Sequence, residues 1–197
     1  EDIDFNVDDF VTRVNSDLVG KVVNIASRCA GFIEKRFQGN LSTRLPDPAL
    51  FKLFVDANQS IIDAYEGREF SRAMREIMTL ADRANQYINN CQPWVIAREP
   101  DQDDQLQGIC TQGLNLFRIL MIWLSPVVPG LAGRTQEFLC CTIADAGNLN
   151  DLAQPLTGHK IGPFHHLLNR VEIKDAQKMM ENPLILEQKS SSVSPGQ

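Results

Sequence analysis

The sequence contains none of the short motifs that mark common nucleotide-binding and hydrolytic enzymes. A phosphate-binding loop, a dinucleotide-binding glycine fingerprint, an esterase nucleophile elbow and the His-Glu-x-x-His zinc motif are all missing from its 197 residues. His159, His165 and His166 fall in one irregular stretch, but no cysteine pair or carboxylate stands at ligand spacing from them. We therefore predict no metal site and interpret these histidines as structural. Hydrolysis around them is an alternative that lacks a nucleophile–base pattern.

Disulfide and membrane signals are also missing. The five cysteines are an odd number without any C-x-x-C pair, which fits neither a disulfide framework nor a zinc site. We expect no signal peptide, because the first residues lack a basic stretch followed by an apolar one, and the most apolar run, residues 114–124, is interrupted by Arg118. We therefore predict reduced thiols, a cytoplasmic location and no contact with a membrane. Because no initiator methionine is present, we expect the chain to be a piece of a longer protein.

Positive charge is scarce overall but locally concentrated. The net charge of −6 excludes a protein that holds nucleic acid through a blanket of positive potential. Residues 10–46 differ from the rest, because they carry six basic and two acidic residues, a net charge of +4. Any binding of nucleic acid should therefore involve this first segment.

Apolar residues spaced by three and four predict one long helix over residues 7–37. Asn6 is the expected N-cap and Gly39 the expected C-cap, while Gly20 and Gly31 indicate either a close helix neighbour or a kink. The buried stripe should comprise Phe10, Val14, Leu18, Val22, Ile25, Cys29 and Phe32. At 100° per residue, the opposite, wet face comprises Asp17, Lys21, Asn24, Arg28 and Lys35.

The remaining pattern predicts an all-α bundle of about five helices. Asp47-Pro48 begins a second helix that ends at Gly67, and a third follows over residues 69–89 with Phe70 facing inward. A strongly apolar fourth helix ends before Pro126, and a shorter fifth covers residues 128–141. We expect three parts: a helical domain at residues 1–141, an irregular C-terminal segment at residues 142–186, and a linker or disordered tail at residues 187–197. The C-terminal segment should contain a short helix over residues 174–181.

Three residues on this scaffold have side chains suited to nucleic acid. Asn24 and Arg28 lie one turn apart, and amide and guanidinium groups match the hydrogen-bonding edges of bases, although such pairs also occur on ordinary solvated faces. Trp94 follows Pro93 at the corner after the third helix. It is either a packed loop anchor or a stacking platform for a base.

Four stretches, in order, resemble consecutive parts of bacterial methionyl-tRNA synthetase, a class I aminoacyl-tRNA synthetase. They are NSDLVGKVVNIASRCAGFIEKRF, EFSRAMREIMTLADRANQYINNCQPW, LNLFRILMIWLSPVVP and PLTGHKIGPFHHLLNRVE, and the resemblance runs over residues 10–172. It implies the helical anticodon-binding domain and a segment that returns toward the catalytic domain. It also implies that Asn24, Arg28 and Trp94 recognise the CAU anticodon of methionine tRNA. Possible phosphate contacts are Lys21, Lys35, Arg36 and Arg44.

The resemblance sets the expected partners and cofactors. The H-I-G-H-like and K-M-S-K-S-like motifs of the family's ATP-binding domain are missing here, as is a zinc knuckle. We therefore expect no cofactor in this chain, with ATP, Mg²⁺ and possibly Zn²⁺ in the catalytic part of the parent enzyme. Whether the chain has an activity of its own stays open. The expected partners are methionine tRNA and the parent's catalytic domain, and the isolated piece should be monomeric.

The alternative is a helical protein-interaction module without any role in RNA binding. The acidic net charge of −6 favours it. Salt dependence distinguishes the two, because phosphate contacts weaken steeply with salt whereas an apolar groove does not.

Overall fold

Helices make up the regular structure of this protein. The computed structural model describes residues 6–143 and 149–181, and within these ranges β structure is limited to one bridge between Asn40 and Lys160. The helical segments are α1 (Val7–Arg13), a π helix (Val14–Val23), α2 (Asn24–Phe37), α3 (Pro48–Glu66), α4 (Phe70–Cys91), α5 (Pro93–Ile96), α6 (Asp103–Leu124), α7 (Pro129–Leu139), α8 (Leu149–Ala153) and α9 (Ile173–Glu181). The predicted all-α bundle is confirmed. The predicted tail at residues 187–197 lies outside the described residues.

The first helical rod continues from Val7 to Phe37, as predicted. The Asn6 side-chain oxygen caps it by accepting a hydrogen bond from the Asp9 amide at 3.1 Å. The predicted C-cap is wrong by one residue, because the C-cap is Gln38, with φ of 54°, and Gly39 follows it with φ of 84°. Gly39 serves a different purpose, since a Cβ at this position would lie 2.8 Å from the Ile161 carbonyl oxygen.

The middle of this rod is a π helix, which the sequence pattern did not predict. Its hydrogen bonds span five residues rather than four, so the 100° spacing that placed Asp17 and Lys21 in line with Asn24 no longer applies. Gly20 lies inside the π helix, where an added Cβ would approach the Asn15 carbonyl oxygen to 3.1 Å. At Gly31, such a Cβ would meet no atom within 4 Å apart from its chain neighbours and the backbone of its own helix, so of the two alternatives for this glycine the close helix neighbour is wrong.

Helix α6 is the centre of the bundle. Every residue from Gly108 to Leu124 is buried, and its most extensive contact is with α2. At the crossing, a Cβ on Gly113 would lie only 2.7 Å from the Cys29 sulfur, so a glycine permits the close approach. From Leu18 onward in the first helix and from Ala73 onward in the third, the predicted inward positions are buried or pack against this core. Phe10 is 43% exposed and Phe70 is 57% exposed, because each lies in the first turn of its helix.

The irregular C-terminal segment packs on the bundle, where side chains of the bundle form hydrogen bonds with backbone groups of the segment. The buried Asn115 side chain both donates to the Leu156 carbonyl at 3.1 Å and accepts from the Leu156 amide at 2.7 Å. Asn15 makes the same paired contact with Val171, at 2.8 Å for each bond. The predicted short helix at residues 174–181 is present as α9, and the short α8 was not predicted. In the part of the chain that the structure describes, no helix is long and apolar enough to cross a bilayer.

Candidate nucleic-acid interface

The corner between α4 and α5 brings Trp94 next to α2. Helix α4 ends at Cys91, its C-cap Gln92 adopts a left-handed conformation with φ of 46°, and Pro93 then begins α5 as its first residue. Trp94 therefore lies on a four-residue helix rather than on the predicted loop, and its ring is half-buried. The Arg28 guanidinium carbon lies 5.5 Å from the centroid of this ring, within range of a cation–π interaction.

A second contact with α4 holds Arg28. Its Nη1 donates a hydrogen bond to the Asn89 side-chain oxygen at 2.8 Å. Asn89 lies in the last turn of α4, five residues before Trp94, so both contacts to Arg28 come from one corner of the fold. The sequence analysis missed Asn89. The only sequence feature that pointed to it was the polar pair Asn89-Asn90 just before the helix break, and such pairs are common at helix ends.

Asn24 begins the α-helical part of the rod, one turn before Arg28. Regular geometry from Asn24 onward places these two side chains on neighbouring turns of the same face. The Asn24 side chain is partly exposed, and it forms no hydrogen bond with any residue that the structure describes. Its amide therefore offers both a donor and an acceptor to a ligand at this surface.

The four predicted phosphate contacts divide into two pairs. Lys21 lies 3.0 Å from the Asp82 carboxylate, and Arg36 lies 2.8 Å from Asp103 and also donates to the Ala97 carbonyl. These two side chains connect elements of the bundle. Lys35 and Arg44 are exposed, and neither forms an ion pair within the described ranges.

Arg44 lies in a separate, acidic cleft. The cleft has a volume of about 700 Å³ and is also lined by Asp47, Asp101 and Asp104, but not by Arg28 or Trp94. Arg98 is an exposed cation on the chain just after α5, and it makes no side-chain ion pair with the described residues. Sequence reasoning missed Arg98, because only the structure shows that the end of α5 approaches Arg36.

Burial keeps two ionisable groups near this corner in their neutral forms. Burial raises the pKa of the Cys91 thiol, so it is protonated at neutral pH and is a poor nucleophile. Burial likewise raises the pKa of Tyr87, which lines the acidic cleft. Among the described residues, no three His, Cys, Asp or Glu side chains are placed to hold a metal ion. His159 is 2.7 Å from the Leu139 carbonyl, whereas His165 and His166 line a different cleft beside Arg134.

No model of a known protein family matches the sequence. Solved structures of Mycobacterium tuberculosis methionyl-tRNA synthetase share its fold. The free enzyme has a TM-score of 0.74 at 19% identity, covering 85% of this chain and 35% of that chain. The enzyme in complex with methionyl-adenylate has a TM-score of 0.72 at 22% identity, covering 83% and 33%. A further structure bound by methionyl-adenylate has a TM-score of 0.72 at 20% identity, covering 82% and 33%.

The chain shares its fold with a part of these enzymes. At identities of 19–22%, these matches show a common fold, and the chain spans about a third of the length of the enzymes that it matches. The function of the Arg28–Trp94 corner must therefore be argued from its own side chains.

Proposed function

We propose that this chain binds the CAU anticodon loop of methionine tRNA and presents that tRNA to the catalytic domain of a methionine-tRNA ligase. The main support is the Arg28 guanidinium 5.5 Å from the Trp94 ring centroid, with Asn24 one turn away. In this proposal, residues 1–141 form the anticodon-binding domain and residues 142–186 face the catalytic domain. Attachment of methionine with ATP and Mg²⁺ belongs to that domain, which lies outside this chain.

Trp94 would act by stacking. Bases in a single-stranded loop are unstacked at little cost and can lie against an aromatic face. The ring of Trp94 is half-buried, so its position is fixed by packing while part of its surface stays accessible. Stacking on such a ring contributes about 1–3 kcal/mol per base and tolerates any base. Trp94 therefore supplies affinity, and the selection of cytosine requires hydrogen bonds.

Arg28 and Asn24 would supply that selection. The Watson–Crick edge of cytosine carries two acceptors, O2 and N3, and one donor, the N4 amino group. A guanidinium has donors only, so it matches O2 and N3 and is opposed by the N3–H of uracil. The Asn24 amide oxygen can accept from N4. A well-formed contact of this kind discriminates between bases by about 1–3 kcal/mol.

Electrostatic attraction to the phosphates would come mainly from exposed, unpaired cations. Lys35 lies two turns beyond Arg28 on α2, and Arg98 follows the helix that carries Trp94. Lys21 and Arg36 keep their charge but share it with Asp82 and Asp103, so each should contribute less. Such contacts attract any RNA and position it without selecting its sequence.

A titration with RNA hairpins tests the proposal. A 17-nucleotide anticodon stem-loop with a CAU loop should bind at least tenfold more tightly than the same stem with a UAU or scrambled loop. The ratio of affinities is the relevant quantity. Without the second tRNA contact that the catalytic domain of the parent enzyme would supply, this chain should bind every loop more weakly by the same factor. Equal binding of all loops would contradict the proposal, as would an affinity that does not fall with increasing salt.

A further inference from the structure

The Arg28 guanidinium is held by two contacts that restrict it in different ways. The approach to the Trp94 ring at 5.5 Å sets the height of the guanidinium above the aromatic face. A cation–π attraction has little dependence on rotation about the ring normal, so this contact alone leaves the N–H groups free to turn. The hydrogen bond from Arg28 Nη1 to Asn89, at 2.8 Å, is directional and fixes that rotation.

We propose that Asn89 is a positioning residue that directs the free N–H edge of Arg28 toward the base it recognises. This inference rests on the proposed function. With Nη1 engaged by Asn89, the donors that face a base are those of Nε and Nη2, a pair that matches two adjacent acceptors. Without Asn89, the same guanidinium turns above Trp94 and presents different donors.

The chemistry and the location of Asn89 suit this role. An arginine side chain has no acceptor, so the carbonyl end of the Asn89 amide must face it. Asn89 extends from the last turn of the 22-residue α4, and its neighbour Ile88 is fully buried in the core. The acceptor is therefore fixed on the same rigid unit that leads through Pro93 into Trp94. A group on a separate loop would be free to move relative to the ring, whereas Asn89 belongs to the helix that leads into it.

Asn89→Ala tests the inference, with Asn90→Ala as its matched control. Asn90 is the next residue of α4, is also exposed, and makes no side-chain hydrogen bond to the described residues. In the full chain, we expect Asn89→Ala to lower the ratio of CAU to UAU hairpin affinity about fivefold, because one typical hydrogen bond contributes a factor of this size. Asn90→Ala should leave the ratio unchanged.

Neither variant should alter the salt dependence or the thermal midpoint, because no phosphate contact or core residue is changed. Asn89→Asp keeps the acceptor and should restore the ratio.

A measurement on the free protein separates this inference from the proposed function. The Arg28 Nε–H signal in a ¹H–¹⁵N spectrum should shift and broaden in Asn89→Ala but not in Asn90→Ala. If the wild-type chain binds all hairpins equally, the proposed function fails, whatever the spectrum shows. If the wild type prefers CAU and Asn89→Ala retains the full ratio and an unchanged Arg28 signal, the proposed function stands and the role of Asn89 is overturned.

Discussion

The two tryptophans show how position decides the role of a residue. Trp123 is fully buried in α6, where its indole nitrogen donates to Asn58 at 2.7 Å and its ring stacks with Phe54 at a centroid distance of 6.3 Å. Trp94 is half-buried at the corner of α4 and α5, beside Arg28. Of the two possibilities that the sequence raised for Trp94, packing against the core is observed, while the stacking platform stays a prediction that the accessible part of the ring allows.

Replacing Trp94 should weaken RNA binding more than it weakens the fold. We expect Trp94→Ala to reduce affinity for the CAU hairpin by about 1–3 kcal/mol, or about 5- to 150-fold, through lost stacking. Val95→Ala is the control, because Val95 is the next residue of α5 and is 40% exposed. Fluorescence anisotropy of labelled hairpins measures both. Equal affinities of the two variants would exclude Trp94 as the stacking residue.

The adjacent cations Lys35 and Arg36 should respond differently to mutation. Lys35→Ala should reduce the slope of log affinity against log salt by about one, as expected for one lost phosphate contact, and leave stability unchanged. Arg36→Ala should lower the free energy of unfolding by about 1 kcal/mol, because it removes the bond to Ala97 and the ion pair with Asp103. Hairpin titrations at several salt concentrations and urea unfolding distinguish them. A larger change in slope for Arg36→Ala would contradict this assignment.

At the scale of elements, local signals predicted helix starts well and the rod's internal geometry poorly. Asp47 caps α3 ahead of Pro48, as the sequence indicated. The π helix was missed, because ten residues of mixed apolar and polar character fit more than one period. The burial of Phe10 and Phe70 was also predicted wrongly, since periodicity does not show where a helix emerges from its neighbours. Asn24 and Arg28 were identified from their spacing, but the proximity of Arg28 to Trp94 depends on the α2–α4 packing.

The packing of α2 on α6 predicts opposite effects for two glycine substitutions. Gly113→Ala places a Cβ 2.7 Å from the Cys29 sulfur and should destabilise the fold by about 1–3 kcal/mol through overpacking. Gly31→Ala has open space within 4 Å and should stabilise α2 by up to about 1 kcal/mol through helix propensity. Urea unfolding followed by circular dichroism measures both changes. Similar stabilities for the two variants would show that the close α2–α6 crossing is wrong.

At the scale of the whole molecule, the C-terminal segment is attached by side chains that bind main-chain groups. Arg118 donates to the carbonyls of Gln154 and Asp151, at 2.9 and 2.6 Å, and Arg134 donates to the Leu167 carbonyl at 2.8 Å. Every residue has a backbone carbonyl, so no sequence pattern identifies which ones these side chains bind. The irregularity of the segment could therefore be predicted from its glycines and prolines, whereas its path could not.

Loss of Asn115 should release this segment from the bundle. Asn115→Ala leaves both the amide and the carbonyl of Leu156 without their partner, so we expect a cost of about 2–4 kcal/mol. Hydrogen exchange should accelerate at residues 151–158 more than in α4. Asn169→Ala serves as the control, because Asn169 is exposed. Unchanged exchange in Asn115→Ala would refute this role of the asparagine.

The central claim is that the corner formed by α2, α4 and α5 contacts the anticodon. The chain has two tryptophans, so a ¹H–¹⁵N spectrum contains two side-chain indole signals that Trp94→Phe assigns. Titration with the CAU hairpin should shift the Trp94 signal and leave that of the buried Trp123 in place. A scrambled loop at the same concentration should produce a much smaller shift. A Trp94 signal that stays unmoved at saturating CAU hairpin, or that moves equally with the scrambled loop, would contradict the account.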